Sequence, residues 1–290
     1  MMSRLEHIDE ASADSISKDK VGNLHLVSLP SLPALLMEAL RYTDPSGNQN
    51  LTQLIDKISQ DPAMVVRILR ITNSSFYGMS REISSLRQAV VLLGLNRVRD
   101  MLVSVCFSKM LTVWHKDFDY PLFLHHSMAV ADFTRQLALY IHMGEDNAFT
   151  AGLLHDIGIM VIVLLFPNDF SRIVNEPHLN RVEAERQILG FDHMEIGGKA
   201  ARYWNLPLLI QEAIEQHENP PEKDAPMSLN FLVYTANLLV TKMVQEGDDV
   251  SFEGQEAITQ ILNKLNISID QATVWGNASR QFATHIVATL

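Results

Sequence analysis

The chain carries helix punctuation along almost its whole length and contains no run of strict period-two alternation. A half-buried strand needs that alternation, whereas side-chain caps, first-turn prolines and glycine stops mark the ends of helices. In "DPAMVVRILRITN", Asp61 suits the cap and Pro62 the first helical position, and Val65, Ile68, Leu69 and Thr72 fall at helical spacing. "SLPSLPALLMEALRY" opens an earlier helix with Pro33 in its first turn, and "LTQLIDKISQ" follows with Thr52 as its cap. "NSSFYGMSREISS" is a polar turn containing Gly78. "SSLRQAVVLLG" stops at Gly94, and "LNRVRDMLVSVCFSKML" resumes with Asn96 as cap.

The predicted fold is therefore all-α. A loose, polar tail covers residues 1–23, a compact helical bundle 24–114, and a second helical domain 115–290, with the break at "HKDFDYP". Beyond that break helices are predicted from about Pro121 to Met143 and through "DNAFTAGLLHD", "IMVIVLLF", "NRVEAERQIL", "DHMEIGGKAARYW", "PLLIQEAIEQH" and "MSLNFLVYTANLLVTKMV". Two more close the chain. No fixed-period repeat is evident.

Composition narrows the class further. A hydrophobic fraction of 47% supports a sizeable core, and the single cysteine, Cys106, sits in an apolar run as a buried hydrophobe with no disulfide partner. The N-terminus is polar and acidic, without the apolar core of a signal peptide, and "IGIMVIVLLF" is about half of a membrane span. A soluble, cytoplasmic protein with no membrane partner is expected. The formal charge of −11 opposes nucleic-acid binding, although Lys57, Arg67, Arg70, Arg81, Arg87, Arg97, Arg99 and Lys109 form a basic stretch against only Asp61, Glu82 and Asp100. Arginines on solvated faces or paired with the acidic half explain that stretch better than a helix-turn-helix.

Five of the eleven histidines stand in informative settings: His125 and His126 in "FLHHSMAV", His155 in "LLHDIG", His193 in "GFDHMEIGG" and His217 in "IEQHENPP". Neighbouring helical residues point about 100° apart, so only one of His125 and His126 faces inward. His126 is in register with Ala129, Val130 and Phe133 and is the inward candidate. Neutral imidazoles with a carboxylate suit a divalent transition metal, provided that they converge in space. Asp156, beside His155 in an apolar run, is costly to bury without a partner; a helix cap and a metal ligand account for it equally well.

These residues resemble the HDOD domain family, an output domain related to the HD metal-dependent phosphohydrolases, over about Leu26 to Val244. The resemblance is carried by "QDPAMVVRILRITNSSFYGMSREISSLRQAVVLLGLNRVRDML" and, in the second half, by "HHSMAVA", "AFTAGLLHDIG", "GFDHMEIGG", "WNLP" and "VYTANLL". It implies an N-terminal helical bundle packed on an HD-like helical domain, and a role in bacterial signal transduction. The HD metal positions then fall on His126, His155, Asp156, His193 and His217, with Asn237 where the closing aspartate is expected.

Three departures weigh against catalysis. With Asp156 as the only carboxylate, two divalent ions would leave about three positive charges uncompensated, so one weakly held ion of iron, manganese or zinc is expected. Ile159 stands where active HD enzymes carry a lysine, and "QHENPPEKDAP" lacks the glycine-tyrosine-proline continuation of cyclic di-GMP phosphodiesterases. The expectation is a stand-alone scaffold that binds a signalling protein or a nucleotide or phosphate ligand. The alternative is a phosphohydrolase with a working site, in which Asp156 is catalytic.

Overall fold

The protein is described here from a computed structural model that covers residues 29, 32, 34–41, 51–74, 76–110, 115–143, 147–222, 226–246 and 255–290. Every regular element among these residues is an α-helix. The first half holds α1 (Ala34–Arg41), α2 (Leu51–Ser59), α3 (Pro62–Thr72), α4 (Leu86–Leu93) and α5 (Leu95–Met110). Asp61 caps α3 by accepting a hydrogen bond from the Met64 amide, and Ser85 does the same for α4 from Gln88. Gly94 ends α4 at φ 84°, a conformation that costs a side-chain-bearing residue strain.

Some expected local details differ. α2 begins at Leu51 and α5 at Leu95, so Thr52 and Asn96 lie inside first turns and are not caps. The buried face of α3 is Met64, Ile68, Ile71 and Thr72, while Val65 and Leu69 are only half-buried. Sequence periodicity gives the width of an apolar stripe, but its orientation is set by the helices packed on it, here α2, α4, α5 and α15. Pro33 and the tail at 1–23 lie outside the described residues.

The second half holds α6 (Tyr120–Tyr140), α7 (Ala148–Leu154), α8 (Ile157–Leu165), α9 (Pro167–Val174), α10 (Arg181–Leu189), α11 (His193–Tyr203), α12 (Leu208–Gln216), α13 (Leu229–Glu246), α14 (Glu256–Leu265) and α15 (Ile269–Thr289). Helix α6 is the spine, packed along α7, α13 and α15, while α8 lies across α11. Helix α9 was not anticipated, because the apolar run into Phe166 hides the restart that Pro167 marks at its first position.

The apolar segment from Ala148 to Leu165 is 18 residues long and 89% buried within the protein, more than the ten-residue run read from sequence. It is broken by a turn at His155 and Asp156, which makes it two core helices, α7 and α8. Cys106 is buried, and burial pushes its thiol up to about 12.

The basic stretch turns partly inward. Arg97 and Arg99 on α5 meet Asp100, Asp132 and Arg135, and all but Arg97 are buried. Asp132 is the hub. It pairs with Arg135, lies 3.4 Å from Arg97 Nη1, and accepts from Gln136 Nε2 at 2.8 Å and Ser279 Oγ at 2.9 Å. Burial raises its carboxyl, but Arg135 and Arg97 outweigh that and hold it below the usual range.

Candidate metal centre

Four helices and one corner deliver the predicted residues to a single place. Asp119 caps α6 through the Leu122 amide, which sets His126 near the start of that helix with its ring inward. The adjacent His125 points away, its Nε2 3.1 Å from Thr284 Oγ1 on α15. His155 and Asp156 form the corner between α7 and α8. Asp156 occupies the N-cap position of α8 without a side-chain capping bond, so its carboxylate is available to the cluster. His193 opens α11 behind its cap, Asp192; His217 follows the last residue of α12; Asn237 lies within α13.

Gly158 fixes the spacing. A Cβ there would lie 1.8 Å from the carbonyl oxygen of His193, and one on Gly197 would lie 3.2 Å from Gly158 Cα. Helices α8 and α11 therefore touch backbone to backbone, which only glycine allows.

Five of these residues form two three-donor groups that share Asp156. Its Oδ2 lies 3.2 Å from His155 Nε2 and 3.7 Å from His126 Nε2, and those two nitrogens are 3.3 Å apart. Its Oδ1 lies 3.1 Å from His217 Nε2 and 3.6 Å from His193 Nε2, which are themselves 3.1 Å apart. Bonds of about 2.0–2.2 Å in tetrahedral or octahedral geometry place neighbouring donors about 2.8–3.6 Å apart, a range that includes every pair above except His126–Asp156 at 3.7 Å. The donor set thus fits a divalent transition metal in spacing and in chemistry.

Three of the imidazoles are oriented from behind. His155 Nδ1 donates to the Gly152 carbonyl at 2.7 Å, His217 Nδ1 to the Ile214 carbonyl at 2.9 Å, and His193 Nδ1 to Glu185 Oε2 at 2.6 Å. Each bond leaves Nε2 facing the centre. Electrostatics divides the rings. Burial pushes His126 down to about 4 and also lowers His217. Burial would lower His155 too, but the Asp156 carboxylate outweighs it, and Glu185 likewise lifts His193 to about 9. Asp156, raised by burial, is held well below the carboxylate range by His155 and His217.

Asn237 belongs to the site. Its Oδ1 is 3.1 Å from His126 Nε2, and its Nδ2 donates to Glu218 Oε1 at 3.2 Å. Glu218 and Glu185 were missed in the sequence; they stand behind Asn237 and His193, and Asp156 is the only carboxylate in either donor group. Glu185 sits one helical turn before the buried Leu189, so a charged residue on an apolar face was the available signal. Glu218 directly follows His217.

The cluster forms one wall of a cavity of about 990 Å³. Phe118, Phe123, Phe170 and Met194 supply apolar surface, and Ile159 also lines it. The charged lining is mainly acidic, with Asp117, Asp119, Asp156, Glu183 and Glu218 against Arg181 and Arg186. Arg186 is engaged with Asp192, 2.9 Å from Nε.

The comparisons with known proteins agree with this architecture. A protein of Treponema pallidum (strain Nichols), itself uncharacterized, is 28% identical over 224 residues, which are 71% of this chain; the chain spans 40% of that relative's length. A candidate phosphohydrolase from Shewanella amazonensis SB2B is 24% identical with a TM-score of 0.74, covering 93% of this chain and 98% of its own. An HDOD domain protein of unknown function from Geobacter sulfurreducens is 21% identical with a TM-score of 0.75, covering 97% of each chain. A candidate signal transduction protein from Marinobacter aquaeolei VT8 is 21% identical with a TM-score of 0.72, covering 97% of this chain and 66% of its own. These three likenesses establish the shared helical fold. The family model for the HDOD domain matches residues 29–220, and the chain belongs to the HDOD domain family.

Proposed function

We propose that the protein is a bacterial signal-transduction scaffold, built from residues 24–114 and 115–290 as two helical units, that acts by binding a signalling partner or ligand. Its HD-type site is degenerate and holds a divalent ion weakly. Asn237 carries this reading: at 3.1 Å from His126 it offers a neutral carbonyl where a carboxylate would neutralise a second ion. Ile159 supports it, since an apolar side chain on the cavity wall stabilises no charge developing on a phosphate. The acidic lining also disfavours an anionic ligand unless a metal offsets it.

The second reading is a metal-dependent phosphohydrolase, favoured by two intact three-donor groups that open on one cavity. The name of the Shewanella relative points the same way for that protein. In this reading the metal supplies Lewis-acid chemistry, and Asp156 with the four histidines holds it.

One assay separates the two. Chelator-treated protein reloaded with manganese or iron is offered a generic phosphodiester and a cyclic dinucleotide. Scaffold function predicts turnover no greater than that of the doubly substituted His155→Ala, Asp156→Ala protein. Turnover well above that background replaces the scaffold reading with the hydrolase.

A further inference from the structure

We propose that Glu185 is a positioning residue that makes Asp156, His193 and His217 the half of the cluster that keeps a metal ion. The inference rests on reading the cluster as a metal site and adds which half is occupied and why. Glu185 is 1% exposed, a placement that is expensive for a carboxylate without strong partners. Its Oε2 accepts two hydrogen bonds from one residue, the His193 amide at 2.8 Å and His193 Nδ1 at 2.6 Å. The amide bond alone would serve to anchor the start of α11, a task that Asp192 already performs by accepting from the Glu195 amide at 2.9 Å. The ring bond does something more. It fixes the imidazole plane and aims Nε2 at Asp156 Oδ1 and His217 Nε2.

A carboxylate behind a ligating imidazole makes the ring a stronger donor and adds a negative charge next to the ion. The two halves are unequal in this respect. In the Asp156–His193–His217 half all three residues are buried and Glu185 stands behind one of them. In the other half His126 has an 18% exposed side chain and is met by the neutral Asn237. Rigidity and exclusion of water favour the same side, and Glu185 bonds a donor imidazole directly, whereas Glu218 reaches the other half only through the Asn237 amide.

The test is titration of the chelator-treated full chain with manganese, followed by calorimetry, for the unmodified protein, Glu185→Gln and His126→Gln. Glutamine keeps an oxygen acceptor for the His193 amide but removes the charge. Thermal melting should change little in Glu185→Gln while manganese affinity falls about ten- to a hundredfold. His126→Gln should leave the tight binding step unchanged. Equal affinity in Glu185→Gln and the unmodified protein overturns the inference, and so does an equal loss in His126→Gln. Absence of manganese binding by the unmodified protein overturns the metal reading, and this inference with it. A measurement without any variant stands beside these: anomalous scattering from a manganese-soaked crystal should peak between His193 and His217. A peak confined to His126 and His155 refutes the assignment.

Discussion

Replacing Asn237 by aspartate is the most informative single change to this site. The new carboxylate takes the place of an amide whose oxygen lies 3.1 Å from His126 Nε2, on the side of the cluster whose only donor carboxylate is the shared Asp156. A unit charge about 4 Å from a divalent ion is attracted by about 8 kcal/mol at an effective dielectric of about 20. Most of that is offset by desolvating both ions, and a surviving fifth is about 1.5 kcal/mol, or about tenfold in affinity. Glu218 modulates the gain. Its Oε1 now accepts from the Asn237 amide at 3.2 Å, and it would instead face a like charge. In the metal-free variant that repulsion favours a proton on the new carboxyl, which the ion must displace. The gain is therefore larger at about pH 8 than at about pH 6, and larger again when Glu218→Gln is added. Manganese titration by calorimetry reads all three proteins directly, and the gain appears in the weaker binding step. Unchanged affinity and stoichiometry in Asn237→Asp would mean that residue 237 does not reach the ion, and the account of the missing ligand would fail.

Three further outcomes are expected. Gly158→Ala puts a methyl group 1.8 Å from the His193 carbonyl oxygen, so the variant should lose about 3 kcal/mol or more, or not fold; a melting temperature within a degree or two of the unmodified protein would contradict the backbone contact. Asp132→Ala leaves the buried Arg135 with only Asp100, 3.9 Å away, and should cost about 3–5 kcal/mol in urea unfolding, whereas a loss below about 1 kcal/mol would show that the network is dispensable. Cys106, 1% exposed with its thiol pushed up to about 12, should react with a disulfide reagent only after unfolding, and labelling of the native protein at a free-thiol rate would refute its burial.

Much of the fold was readable because its signals are local. The Asp61 cap and the Gly94 stop act within one helical turn, and no distant partner is needed to predict them. What depended on partners was read less well. The buried face of α3 is shifted from the one expected, and Arg97 points toward α6, where Asp132 lies 35 positions along the chain. The site followed the same rule. His126 was separable from His125 by helical register, and the other ligand positions came from the family pattern. Glu185 reaches His193 across the turn between α10 and α11, and Glu218 reaches Asn237 across the gap between α12 and α13. A pattern of ligands along one chain contains no record of such second partners.

The glycine contact between α8 and α11 has a consequence for how this protein can change. Gly158 and Gly197 join main chain to main chain, so the mounting points of His155, Asp156 and His193 are set by backbone and not by the groups they carry. Such a mount keeps its dimensions when individual side chains are exchanged. Asn237 stands outside it on α13, hydrogen-bonded on one side to His126 and on the other to Glu218. Charge at the cluster can then be retuned one residue at a time while the positions of His155, Asp156 and His193 stay fixed.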